Sequence, residues 1–304
     1  MTAPRSVSLR TNSKINLFLR VVGGRADGYH ELESIFHGVQ LADDMRLTLT
    51  HNRRVDVEMR AADGFHGRLP ELEENLAYLA VQALVDRGFE HEGLLIEIEK
   101  RVPLGAGLGG GSGNAAGVLV GLNHLLELDL PLESLVEVGA IVGSDVPYCI
   151  GGGTALVMGR GENMTPLPAP QDLWFVLGIS NEPLMTGEVY AAFDEAGVEL
   201  EDAPSAPMVL ALGAGDVTDI AALLHNDLEV GAFTLRPELT AAKQELADAG
   251  SLGAGLTGTG PTVFGLAEGP EHAREVAGRV RGSFDRVEVV KTAPECVELL
   301  DEGP

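Results

Sequence analysis

Three kinds of group in this chain of 304 residues could work on a phosphate ester and an alcohol. The first is a run of backbone amides. Gly105, Gly107, Gly109, Gly110, Gly111 and Gly113 surround Ser112 in RVPLGAGLGGGSGN, residues 101–114. Glycine accepts positive φ, so successive N–H groups can curve around an anion. An alternating segment, LLIEIEK at 94–100, precedes the run, and a helical stripe of Ala115, Val118, Leu119, Leu122, Leu125 and Leu126 follows it. A phosphate at the start of such a helix gains about 0.3–1 kcal/mol from the dipole and about 1.5–3 kcal/mol from each hydrogen bond to a charged group. The aligned N–H groups therefore matter more than the dipole. A flexible glycine linker would have neither the strand before nor the helix after.

Two familiar phosphate loops do not fit. A P-loop ends GK[ST], whereas Gly113 and Asn114 follow Ser112 here. Gly105, Gly107 and Gly110 do spell GxGxxG, but a dinucleotide fold needs a strand after the helix. Here the helix runs past Pro131 into a second helical pattern that stops at Gly143.

The second kind of group is a cation with a nearby amide. In SKINLFL, strand alternation puts Lys14 and Asn16 on one face and Ile15, Leu17 and Leu19 on the other. The third is a carboxylate, Asp145 in GSDVPY, placed either to cap a turn or to orient a hydroxyl proton. A second small-residue loop, LTGTGPT at 256–262, carries Gly258, Thr259 and Gly260.

The elements that would position these groups follow from the pattern. Strands are expected at 15–21, 94–100, 173–179 and 286–291, and helices at 75–87, after Gly113, after Pro131, near 186–196 and near 270–281. GSDVPY reads as a turn or a helix cap, and VELEDAPSAP as an acidic loop. The chain changes character through the Pro-rich stretch TPLPAPQD, which places a domain boundary near 165 and divides it into 1–165 and 166–304. Strands and helices mix irregularly, so the class is α+β.

Composition narrows the partners. With 21 Lys and Arg against 46 Asp and Glu, the net charge is −25. That field repels nucleic acid and anionic lipid, and it means an anionic ligand needs a local positive site. Cys149 and Cys296 are the only cysteines and suit neither a disulfide framework nor a metal motif. With no signal core and no apolar run of about 20 residues, a cytoplasmic protein with no membrane role and no obligate protein partner is expected.

In their order, SKINLFL, PLGAGLGGGSGNAAG, GSDVP and LTGTGPTVF resemble the GHMP kinases, the superfamily of galactokinase, homoserine kinase and mevalonate kinase. DGYHELESIF, EENLAYLA, EKRVPLGAGLGGGS and HNDLE narrow the resemblance to one branch. Its members use ATP to phosphorylate the 2-hydroxyl of a cytidylylated methylerythritol in non-mevalonate isoprenoid biosynthesis. The resemblance implies an N-terminal ATP-binding α/β domain with a left-handed βαβ unit and a ferredoxin-like C-terminal domain.

The resemblance also implies roles. Asp145 and Lys14 would be the catalytic pair. Asn75, Leu76, Lys100, Pro103, Gly105, Gly107, Gly109, Gly110, Gly111, Ser112, Gly113 and Asn114 would hold ATP. Asn16, Tyr29, His30, Tyr190, Gly258, Thr259 and Gly260 would hold the other substrate, with Tyr29 and Tyr190 sandwiching its cytosine. Mg²⁺ is expected as counter-charge for ATP, with no ligands assigned, because it keeps most of its waters. One position departs from the family's usual loop, which has Asp where this chain has Asn114. The competing readings are another GHMP kinase and a non-catalytic nucleotide-binding regulator. A sugar kinase has no use for the DGYH aromatic pair, and a regulator would be expected to lose Lys14 or Asp145.

Overall fold

The computed structural model describes residues 5–26, 28–62, 69–159, 161, 163–198 and 204–303. Part of the acidic loop VELEDAPSAP, at 199–203, lies outside them.

The chain opens with two long antiparallel strands, β1 (Ser6–Gly24) and β2 (His30–Leu49). A βαβ unit follows, made of β3 (Val55–Ala61), α1 (Leu76–Val85) and β4 (Leu94–Lys100), with β3 and β4 parallel. Three helices come next, α2 (Gly110–Leu125), α3 (Leu132–Val142) and α4 (Val146–Gly151). The hairpin β5 (Thr154–Gly159) and β6 (Asn163–Pro166) then pairs with the first half of β2, while β4 pairs with its second half. Register shifts between Asn12 and Ser13 and between Asn16 and Phe18 let one pair of strands serve two pairing zones.

The second half begins with β7 (Trp174–Ile179), α5 (Thr186–Ala196), α6 (Ala206–Ala214), α7 (Val217–Ala222) and the two-residue β8 (His225–Asn226). It continues with α8 (Glu229–Leu235), α9 (Glu238–Asp248), β9 (Gly253–Leu256), β10 (Val263–Ala267), α10 (Pro270–Val280) and β11 (Arg286–Lys291). The four longer strands form an antiparallel sheet in the order β11-β7-β10-β9. Numbered within the sheet this is 4-1-3-2, the ferredoxin-like arrangement that the resemblance implies. The final strand, β12 (Val297–Gly303), returns to the first sheet and pairs with β1. Residue 165 falls in β6, just ahead of the connection to the second sheet.

Apolar periodicity accounts for the layers. Leu9, Met45, Leu47, Ile96 and Ile98 face Ala77, Leu84, Val118, Leu119 and Leu122, so α1 and α2 cover one face of the first sheet. In β7, Phe175, Leu177 and Ile179 pack with Ile15 and Leu17, while Val176 packs with Val276 and Leu246 from α10 and α9. Alternation along β7 thus joins the second sheet to β1 on one side and to its own helices on the other. Both faces of β1 are buried between residues 11 and 19, which puts Lys14 and Asn16 inside the molecule. Where the sequence reads as a turn or a helix cap, the structure has the short helix α4, with Asp145 at its N-cap position. Six residues with Pro147 at the helix start leave too short a pattern for periodicity to reveal.

Candidate active site

A cleft of about 660 Å³ is lined from both halves of the chain. Its floor is the glycine run. Gly109 is the N-cap of α2 at φ 71° and offers no side chain to cap it. The first intrahelical bond nearby is Gly113 N–H to Gly109 O, at 2.8 Å, so the N–H groups of the first turn are not used within the helix. The backbone there is held close to its neighbours. Lys14 N–H donates to Leu108 O at 3.0 Å, and a Cβ on Gly107 would overlap the Thr257 carbonyl oxygen. The second small-residue loop therefore leans directly on the first.

Lys14 projects from β1 into the cleft and is only 4% exposed. Its Nζ donates to Asn16 Oδ1 at 2.9 Å, lies 3.5 Å from Asp145 Oδ2 and sits 4.5 Å from the centre of the Phe36 ring. A buried ammonium is costly unless paired, and here carboxylate, amide and aromatic face together offset its desolvation. Asp145 is the N-cap residue of α4 by position, yet its side chain makes no capping bond and turns to Lys14. Asn16 is fixed in turn: its Nδ2 donates to Ser34 Oγ at 2.9 Å, and Ser34 donates to Phe18 O at 2.6 Å.

Thr257 and Asn226 brace the opposite wall. Asn16 N–H donates to Thr257 Oγ1 at 3.1 Å, and that hydroxyl donates to Gly107 O at 3.0 Å. Asn226, of the HNDLE segment, donates through Nδ2 to Leu256 O and Gly258 O, both at 2.8 Å. Gly258 and Thr259 line the cleft; Gly260 does not and faces the Leu256 side chain instead. Leu76 and Pro103 line it near the start of the glycine run, as does Asn75. Asn75 also caps α1, its Oδ1 accepting from Ala77 N–H at 3.0 Å.

Not every expected residue arrives at the cleft. Lys100 is fully buried beneath Gly110 and pairs with Asp43. Gly113 faces Asn12 and Thr11. Tyr190 lines the cleft, but Tyr29 and His30 stand in a second, shallower pocket, with Tyr29 55% exposed. His30 stacks on Tyr190, centroids 4.8 Å apart and planes 22° apart, and its Nε2 meets Asp194 Oδ1 at 2.8 Å. The imidazole, and not the Tyr29 ring, thus covers Tyr190. Burial, and after it the Asp145 charge, push the Tyr190 phenol above its ordinary range, so Tyr190 stays neutral.

The sequence does not point to Ser34, Thr257, Asp43 or Thr186. Each is a common residue without periodic signal; Thr257, Asp43 and Thr186 acquire partners from far along the chain, and Ser34 from the paired strand β1. Among the described residues no group of three His, Cys, Asp or Glu could hold a metal, and no helix is long and apolar enough to cross a membrane.

An amide-lined helix start facing an ammonium–carboxylate pair, on an α+β fold with this topology, defines a small-molecule kinase of the GHMP type. The family models agree: GHMP kinases N terminal domain matches residues 75–153 and GHMP kinases C terminal matches 208–286. The chain is 38% identical to 4-diphosphocytidyl-2-C-methyl-D-erythritol kinase of Shouchella clausii, over 97% of this chain and 98% of the relative. It is 40% identical to the protein of that name from Gloeobacter violaceus, over 91% of each. A crystal structure of 4-(cytidine 5'-diphospho)-2C-methyl-D-erythritol kinase superposes with TM-score 0.78 at 32% identity, covering 94% of this chain and 99% of that one. The chain belongs to the 4-diphosphocytidyl-2-C-methyl-D-erythritol kinase family of GHMP kinases.

Proposed function

We propose that this protein transfers the γ-phosphoryl group of ATP to the 2-hydroxyl of 4-(cytidine 5'-diphospho)-2-C-methyl-D-erythritol, giving the 2-phosphate and ADP. The relatives' shared name supports the reaction. One observation supports this chain's competence for it. The Lys14–Asp145 pair and the open N–H groups of the α2 start converge in one cleft. A buried ammonium paired with a carboxylate adds little to stability compared with apolar packing, so its presence at a cleft favours a role in chemistry.

In this reading Gly109–Ser112 hold the phosphates by backbone N–H groups. Asp145 accepts a hydrogen bond from the substrate hydroxyl and takes its proton as the bond to phosphorus forms. Lys14 pairs with Asp145 and lies beside the oxygens on which negative charge gathers. Asn16, held by Ser34 and Thr257, fixes the Lys14 ammonium and presents its amide to the diol. Alignment matters here because phosphoryl transfer rests on positioning and charge stabilisation. Ser112 and Asp145 are oxygen donors on the cleft wall, which suits Mg²⁺ bound mainly through water. Bound there, the ion would neutralise phosphate charge. The same reading puts the N-terminal, ATP-holding part at 1–165, the remainder at 166–304, and the protein in the cytoplasm.

The test is ADP release from ATP with a panel of alcohols: the cytidylylated methylerythritol, homoserine, mevalonate and galactose. Turnover with the first alone is expected. Turnover with another member and none with the first would replace the reading by a different GHMP kinase. No ADP with any would favour a non-catalytic nucleotide binder.

A further inference from the structure

We propose that Asp43 is a positioning residue for the ATP phosphates, acting through Lys100 and Asn114 by tying both ends of the glycine run to β2. The inference rests on the reading of that run as the phosphate cradle. Asp43 Oδ1 accepts from Arg101 N–H at 2.7 Å and from Val102 N–H at 2.8 Å, where the run begins. Its Oδ2 accepts from Asn114 Nδ2 at 2.9 Å, where the run ends inside α2, and from the Lys100 ammonium. Asp43, Lys100 and Asn114 are all buried. A Cβ on Gly110 would lie 2.9 Å from Lys100 Nζ, so the ammonium sits directly under the α2 start.

One carboxylate thus receives four donors. Two belong to the backbone before the loop, one to the helix after it, and one is a buried cation. Burial lowers the Lys100 pKa, while the Asp43 charge and hydrogen bond oppose that shift. Such a group is costly to bury unless its partner stays in place, which makes the arrangement all-or-none. The same contacts give Asn114 a reason. Its amide donates to Asp43, whereas a carboxylate at 114 would set two anions against one ammonium.

The expected behaviour is a charge-swap rescue. Asn114→Asp should weaken binding of a non-hydrolysable ATP analogue by about tenfold or more, with the cytidylyl substrate affected less than about twofold. Asp43→Asn combined with Asn114→Asp restores one carboxylate and one amide beside Lys100, and should recover most of the analogue affinity. Asn114→Ala removes one donor without adding charge and should give a smaller, analogue-specific loss. It also serves as the reading if Asn114→Asp fails to fold. Calorimetry with each ligand separately is the measurement. Wild-type analogue affinity in folded Asn114→Asp or Asn114→Ala, equal losses for both ligands, or a double variant worse than Asn114→Asp would overturn the proposal. A wild-type protein that does not bind the analogue at all would instead count against the ATP reading itself.

Discussion

Lys14 Nζ and Asp145 Oδ2 meet at 3.5 Å although 131 residues separate them in sequence, one from a buried strand and the other from the N-cap position of α4. The Lys14 side chain is almost wholly buried, while that of Asp145 is one-third exposed toward the cleft. The cation is thus fixed at the cleft wall, and the carboxylate is the more accessible member of the pair.

Replacing Asp145 by Asn keeps the size and removes the charge. Turnover should fall roughly 10²–10⁴-fold with the fold intact. Steady-state kinetics together with circular dichroism check this; a folded variant with near-normal turnover would remove Asp145 from the chemistry.

Lys14→Ala should lower kcat by roughly 10²–10³-fold and change either KM less, since a preorganised charge acts most on the transition state. An unchanged kcat with weaker substrate binding would make Lys14 a docking residue.

A valine at Gly109 must adopt φ 71° and press on the Lys14 side chain, and at Gly110 it overlaps Val102 and Lys100. Either change should weaken ATP binding by about tenfold or more while sparing the other substrate. Separate titration of the two ligands decides the point, and equal losses would count against the phosphate cradle.

His37 offers a pH signature. It is fully buried, its ring nitrogens meet Thr154 Oγ1 at 2.8 Å and Thr292 Oγ1 at 3.0 Å, and burial pushes its pKa down from 6.5 to about 4. The unfolded chain binds a proton there before the folded protein does. The stabilising contribution is therefore complete above pH 6.5 and is lost as pH falls toward 4, in all about 3 kcal/mol. Unfolding midpoints from pH 7 to 4 should drop less steeply in His37→Gln than in the wild type. Identical slopes would show that His37 does not set the pH response.

The stack of His30 on Tyr190 bears on base selection. If a nucleobase is to lie on the covered face of Tyr190, the imidazole must leave it; Tyr29→Ala, at an exposed ring, should then weaken cytidylyl and uridylyl substrates by similar factors. His30→Ala should narrow the ratio of kcat/KM between them, because stacking tolerates any base while edge hydrogen bonds do not. A His30→Ala enzyme that discriminates like the wild type would place selection elsewhere.

Much of this was legible in residue order. Alternation marks the middle of β1 and the whole of β4, helical stripes mark α1 and α2, and the expected segments at 173–179, 286–291, 186–196 and 270–281 coincide with β7, β11, α5 and α10 within a residue or two. The glycine run announced a helix start because strand and helix signals flank it. What stayed hidden depends on contacts between distant segments. Asp43 stands in a strand as one of two adjacent acids, with nothing local to mark it as the anchor for residues 101, 102 and 114. Thr257 and Ser34 carry no pattern, and they matter only because Asn16 lies between them. The stack of His30 on Tyr190 needs the turn after β1 to meet α5, which no local rule supplies. The return of β12 to the first sheet is likewise a pairing of chain ends, invisible to periodicity.

The most direct test of the account is where the phosphate goes. With ATP and 4-(cytidine 5'-diphospho)-2-C-methyl-D-erythritol, phosphorus NMR of the product should show one new phosphomonoester on the 2-hydroxyl, formed with stoichiometric ADP and abolished in Asp145→Asn. A phosphomonoester on any other hydroxyl, or ADP release without a phosphorylated product, would contradict it.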